Sequence, residues 1–551
     1  MKFFSSKQNL WQLIPVAATL ILCALLYVLH FRIDMTADKR YSLSEPTRQL
    51  LSNLTEPVEI DVYLSGDNLN PSFVRLQRAV GELLDEFAQQ TPSSITYRFV
   101  TPHEEGSDEG SYQWLADRAL MPVTIHESES GGSSRQVLVF PWAVMRMGER
   151  QKAFGLLHNT LGLSGEENIN ISIESLEHTA SVALRQLLQG QAQRIAFIEG
   201  HGEYTELETY DVCQALSQYF YIDRGRIGAD ARILDSFAAI VIAGSRTPFT
   251  EQEKYVIDQY VMHGGRVLWL LDGVRFDMDA LSESGLTPAI PLDVNLADLL
   301  FSYGVRITGA ILQDEQSLDV PVNISLDPQQ ADFQPVPWYY APILLVSGDH
   351  VVSRAVSPVM SQFASPIELV GNAEQLNVQY LLSGSNSCHL IPTPAQVDLQ
   401  PFQATNDYFD LQYVPVGVLL EGRFQSAFAY RMRPDSIQGV TDQLNESEPA
   451  RQAVIAASSI VRNDVQQDRP LPLGFDRLSR RQFGNRELLV NTMLWLVGNE
   501  SWIDAHTRRL TLRLLNDRSV RTEGKLVQTI CIGLPVLLLL LIGGVMWWKR
   551  H

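Results

Sequence analysis

The chain has 551 residues, enough for several cores, and a formal net charge of -20 with 45% hydrophobic residues. That acidic balance excludes a general nucleic-acid binder, because phosphate contacts need a basic face. Four cysteines are too few for a disulfide scaffold. With Cys23 and Cys531 in the terminal apolar runs, Cys213 and Cys388 are the only possible intradomain pair, and they have no metal-ligand spacing.

From Trp11 to Phe31 there is no charged residue, and the stretch from Leu526 to Trp548 is equally uncharged. Each is long enough to cross a bilayer as a helix, and the second ends in Trp547, Trp548, Lys549 and Arg550. With Lys2 and Lys7 at the start, the positive-inside rule places both termini in the cytoplasm of a bacterial inner membrane and the bulk of the chain in the periplasm. The expected plan is a cytoplasmic N-terminus (1–10), a membrane helix (11–31), a membrane-proximal α/β domain (32–190) and a parallel-sheet α/β domain (191–320). A β-rich region with a closing helix (321–500), a basic juxtamembrane segment (501–525), a membrane helix (526–548) and a cytoplasmic tail (549–551) complete it. Arg508, Arg509, Arg513, Arg518 and Arg521 read as a solvated basic helix or as a surface for anionic lipid or a membrane partner.

In the first domain Ser44 precedes a Pro-containing helical turn. Val58, Ile60, Val62 and Leu64 alternate as a strand, and Ser72 is placed to cap a helix carrying Phe73, Leu76, Val80, Leu83, Leu84 and Phe87 on one face. Ile95, Tyr97 and Phe99 alternate again, giving a thioredoxin-like layout without a Cys-x-x-Cys pair. Ile173, Leu176, Ala180, Leu184 and Leu187 recur at helical spacing, with His178 off the apolar stripe as a surface or edge residue.

The second domain reads strand, helix, strand, helix, strand: 194–198, the Cys213 helix, 237–242, a helix opened by the capping box Thr250 to Glu253, and 266–271. Short connections imply a parallel sheet with right-handed crossovers. Gly200, His201, Gly202 and Glu203 then share the carboxyl edge with Gly244 and Asp272. That edge is where open α/β sheets take ligands, and these residues are the candidate ligand- or partner-binding set. His201 and Glu203 also suggest a general base with an orienting carboxylate, but no nucleophile stands beside them. No Gly-x-Ser-x-Gly elbow, phosphate-binding Gly-Lys-Ser loop or His-Glu-x-x-His occurs, so no catalytic residue, cofactor or metal is assigned. Farther on, 416–420 is strand-like and 453–457 is a short apolar run ending at Ser458 and Ser459.

Several stretches together resemble one family, GldG, the gliding-motility-associated auxiliary and substrate-binding component of an ABC transporter. They are Asp34 to Thr47, Gly200 to Glu203, Ile257 to Trp269, Asn295 to Arg306 with Gln313 and Asp314, Phe483 to Arg486, and Arg513 to Asp517. The resemblance implies a non-catalytic subunit working beside a separate ABC permease subunit and a cytoplasmic ATPase. Membrane lipid and a second copy of the chain are further expected contacts, and nucleic acid is not. The rival readings are a membrane-tethered hydrolase or amidotransferase-like enzyme using His201 and Glu203, and a structural envelope scaffold.

Overall fold

The computed structural model describes residues 43–507, apart from 67–68, 92–94, 105, 129–133, 160–162, 189–192, 324–331, 349, 355, 400–406 and 440–441. Among the described residues no helix is long and apolar enough to cross a membrane. This corrects the expected architecture of two flanking membrane helices, and with it the inner-membrane placement built on them. What the structure presents is a mixed α/β fold with several sheets. The apolar stretches 11–31 and 526–548 lie outside the described residues, as does the basic run Arg508 to Arg521.

The first unit begins with helix α1 (Glu45–Ser52), strand β1 (Val58–Val62), helix α2 (Pro71–Gln90) and strand β2 (Ile95–Phe99). Strands β3 (Trp142–Met147) and β4 (Arg150–Gly155) and the long helix α3 (Gly165–Leu188) complete it. The sheet order is β2-β1-β3-β4, with β1 and β2 parallel and the other pairs antiparallel. Of the apolar positions of α2, Phe73, Leu76, Val80, Leu84 and Phe87 are buried and Leu83 is partly buried against the same core. The cap of α2 is Asn70, whose side chain accepts from the Phe73 N–H at 3.0 Å, rather than Ser72. Pro71 occupies the first turn and lacks an N–H, so the capping position falls one residue before it. Helix α1 is tied to α3 through Ser44, whose N–H donates to Glu177 Oε1 at 2.7 Å.

The larger unit is organised on a ten-stranded sheet. Strand β5 (Arg194–Ile198) leads through helix α4 (Tyr210–Leu216) to β6 (Tyr221–Gly225) and β7 (Ala239–Ala243). Helix α5 (Glu251–Met262) then leads to β8 (Val267–Leu270), and helix α6 (Ala297–Ser302) follows. Next come β9 (Ser317–Asn323), β10 (Phe333–Val346), β11 (Asn377–Ser383), β12 (Pro415–Gly422) and β13 (Ala450–Ile455), then the helices α7 (Asn485–Leu496) and α8 (Glu500–Thr507). The order across the sheet is β9-β10-β11-β12-β13-β8-β7-β5-β6, with the short strand Val359–Met360 pairing off this path with β10. From β6 to β13 every pairing is parallel; from β13 to β9 every pairing is antiparallel. The sheet therefore runs across residue 320 and draws on both sides of it.

Alternation along the central strands supplies two cores. Phe197, Val241, Leu268 and Leu270 face one layer with Leu216 of α4 and Leu488 and Met493 of α7. Ile198, Ile240, Ile242, Val267 and Trp269 face the other, against Val256, Ile257 and Tyr260 of α5 and Leu299 of α6. Successive strand residues point to opposite faces, and a strand covered on both sides is apolar throughout, as the AIVIA sequence of β7 is. Each fully buried side chain of this kind contributes about 1.5–3 kcal/mol over its exposed state.

Candidate functional site

The parallel arrangement brings the carboxyl ends of β5, β7, β8 and β13 together, and the loops that leave them interlock. At the first, Gly200 and Gly202 have φ of 123° and 80°, the left-handed range that favours glycine. They let the chain double back so that the His201 carbonyl accepts from the N–H groups of Arg246 at 2.7 Å and Thr247 at 2.9 Å in the loop after β7. Gly244, with φ of 74°, sits against the Tyr204 ring: a Cβ there would lie 2.6 Å from Cε2.

The His201 side chain is buried, 5% exposed, and stacks on Phe249 with ring centroids 3.6 Å apart. Its Nε2 lies 3.2 Å from Glu253 Oε2, and its Nδ1 faces Glu203 Oε1 at 3.4 Å, close enough for an ion pair but without hydrogen-bond alignment. Glu203 folds back onto the same turn, accepting from the His201 N–H at 2.6 Å and from Ser245 Oγ at 2.7 Å. Glu253 is the N3 residue of the Thr250 capping box, so the imidazole joins the β5 loop to the start of α5. Burial pushes the imidazole pKa down, but Glu203 and Glu253 outweigh it and hold it above the ordinary value. For Glu203, burial works upward and is overcome by the bonds from His201 and Ser245, so its pKa lies below the usual range.

The other end of the edge is held by a second chain of bonds. Ser458, after β13, donates its N–H to Asp272 Oδ1 at 2.7 Å and its hydroxyl to Asp272 Oδ2 at 2.5 Å. Its oxygen is 2.9 Å from the Tyr204 hydroxyl, which is left as the donor to it. Burial pushes the Asp272 carboxyl up, against the opposing effect of the Ser458 bonds, and pushes the Tyr204 phenol up to about 12.

Gly200, His201, Gly202, Glu203, Gly244 and Asp272 thus stand on one edge of the sheet, but Glu203 and Asp272 turn inward onto the loops. Tyr204, Ser245, Glu253 and Ser458 complete the network. Ser458 had a sequence signal, the end of a short apolar run, but its place next to Asp272 depends on a pairing between distant strands. His178 is half-buried, with its Nε2 2.7 Å from the Tyr219 hydroxyl. Cys213 and Cys388 are both free thiols.

Chemically the edge is poorly set for nucleophilic catalysis. Ser245 donates to Glu203 and not to His201, and both ring nitrogens of His201 face carboxylates. A nucleophile–base pair needs the serine oxygen on an imidazole nitrogen. Among the described residues no group of three or more His, Cys, Asp or Glu is arranged to hold a metal ion.

A family model described as an ABC-type uncharacterized transport system matches residues 192–492, which contain the whole edge, and a second, described as a domain of unknown function, matches residues 37–146. An uncharacterized protein of Borreliella burgdorferi is 19% identical over 412 residues, which cover 72% of this chain and 74% of the relative. Among solved structures, the mmIFT52 N-terminal domain is 16% identical with a TM-score of 0.32, over 55% of this chain and 97% of that one. A ThuA-like protein from Parabacteroides merdae is 9% identical with a TM-score of 0.26, over 59% of this chain and 94% of that one. Both structural likenesses are too weak to carry an argument.

Proposed function

Because the chain belongs to the ABC-type uncharacterized transport system family, an auxiliary component of such a system, we propose that it is the non-catalytic auxiliary subunit of an ABC transporter, working beside a permease subunit and an ATPase. The resemblance to GldG supports a transporter of the gliding-motility type. The surface that takes a ligand or partner is the carboxyl edge formed by Gly200, His201, Gly202, Glu203, Gly244 and Asp272. One observation carries this: loops from four parallel strands are cross-bonded into a single surface through His201 and Ser458. A surface preorganised in this way loses little entropy on binding. The inward-turned His201 and Glu203, with no serine on the imidazole, support a recognising role over a catalytic one.

The test is the ATP hydrolysis of an ABC permease and ATPase from the same host, reconstituted with and without the chain. The proposal expects the folded chain to change the rate or its dependence on transported substrate. An identical rate profile at saturating chain concentration counts against it.

A further inference from the structure

The carboxyl edge sorts its charges by direction. Two of its carboxylates are turned inward: the Glu203 side chain is 4% exposed and bonded to Ser245, and both oxygens of Asp272 accept from Ser458. Two cations are turned outward, the exposed Arg226 and Arg246.

Both arginines lie along the glycines of the first turn. A Cβ at Gly200 would meet Arg226 Cγ at 3.4 Å and Nε at 3.7 Å, and a Cβ at Gly202 would meet Arg246 Cβ at 3.3 Å. The turn therefore has the Arg226 stem against its first glycine and the Arg246 stem against its second, with glycine making the room. The neighbouring arginines are occupied: Arg224 holds Glu199 at 2.6 Å and Arg462 holds Glu208 at 3.1 Å. Among the described residues neither Arg226 nor Arg246 forms an ion pair. Both guanidinium groups are exposed and outside any ion pair of the described residues, although the Arg246 charge is near enough to act on the Asp272 and Glu208 carboxyls. The planar donor fork of arginine matches the oxygens of a phosphate or carboxylate. The edge of a parallel sheet, next to glycine turns, is where such a group can approach the backbone closely.

We propose that Arg226 and Arg246 form an oxyanion-binding subsite over the Gly200 to Gly202 turn, which takes the phosphate or carboxylate group of a small anionic ligand. This rests on the reading of the edge as the recognition surface and gives that surface its ligand class. Glu203 and Asp272 help by being engaged within the protein, so that they repel the incoming anion less than free carboxylates would.

The experiment is calorimetric titration of the full chain with inorganic phosphate, with galacturonate as a carboxylate probe, and with neutral galactose as the reference. Saturable binding of at least one anion is expected, weakening with added salt. R226Q and R246Q together are expected to weaken it about tenfold or more, as loss of charged hydrogen bonds does. R232Q, which removes an exposed arginine paired with Asp235, is expected to leave it unchanged. Preference between phosphate and galacturonate identifies the oxyanion. Failure of both anions to bind better than galactose overturns the proposal, as does equal binding by the double variant with an unchanged urea midpoint. If the chain still co-isolates with its ATPase and permease while binding neither anion, the ligand class falls and the transport role stands.

Discussion

Ser458 Oγ donates to Asp272 Oδ2 at 2.5 Å, joining the ends of two neighbouring parallel strands across 186 positions of sequence. The same oxygen accepts the Tyr204 hydroxyl, so one serine binds three loops of the edge. S458A removes both side-chain bonds and leaves Asp272 and Tyr204 short of a partner. A buried polar group left unsatisfied costs about 1–3 kcal/mol. Urea unfolding followed by tryptophan fluorescence should show a lower midpoint at unchanged slope; an unchanged midpoint would mean that solvent replaces the hydroxyl.

The pH dependence of stability should carry the signature of His201. Its pKa lies above the ordinary value in the folded protein, so folding favours the protonated ring. That contribution is complete below the unfolded value of about 6.5 and is lost as pH rises through the higher folded value. Glu203 and Glu253 are held below the ordinary carboxylate value, so their contribution is present above it and is lost as pH falls through their lowered values. Thermal midpoints across a pH series should therefore plateau between the two limits. H201Q should flatten the alkaline decline; the same decline in both proteins would assign it to other groups.

Gly244 and Gly285 offer a matched pair, since both have φ of 74°. A Cβ at Gly285 meets nothing within 4 Å, whereas one at Gly244 lands 2.6 Å from the buried Tyr204 ring. G285A should cost about 1 kcal/mol through backbone strain alone. G244A adds overpacking of about 1–3 kcal/mol and should also disturb the Tyr204 to Ser458 bond. Equal losses of midpoint in the two variants would deny the close approach.

Cys388 is buried beside Asp314, and burial followed by that charge pushes its thiol up to about 12. At neutral pH it should resist maleimide in the folded chain and react only after denaturation. Peptide mapping by mass spectrometry checks this; rapid labelling in native buffer would contradict the packing.

Local chemistry was legible in the sequence where a short stretch contained its own answer. The Thr250 to Glu253 capping box opens α5, and the apolar spacing of α2 marks its buried face. The cap of α2 was misassigned because Ser72 is a good capping residue in isolation, while Pro71 moves the position to Asn70. Long-range pairing was not legible. The run in β13 reads as one more apolar strand, and only the register Leu268 to Ala453 places it beside β8 and brings Ser458 to Asp272. Charge direction was hidden for the same reason: Glu203 and Arg246 are both simply polar in sequence, and tertiary bonds turn one inward and leave the other at the surface. The two long apolar stretches near the termini lie outside the described residues, and the described fold contains no membrane-crossing helix.

The account turns on the chain being an auxiliary transport subunit, and its most direct measurement is affinity isolation of the full chain from its own host, with quantitative mass spectrometry of what accompanies it. The account predicts that an ABC-type ATPase and a permease co-isolate in comparable molar amounts and stay associated in the R226Q, R246Q variant if the oxyanion subsite serves the ligand alone. Recovery of the chain with neither subunit, under conditions where the ATPase and permease themselves remain together, would contradict it.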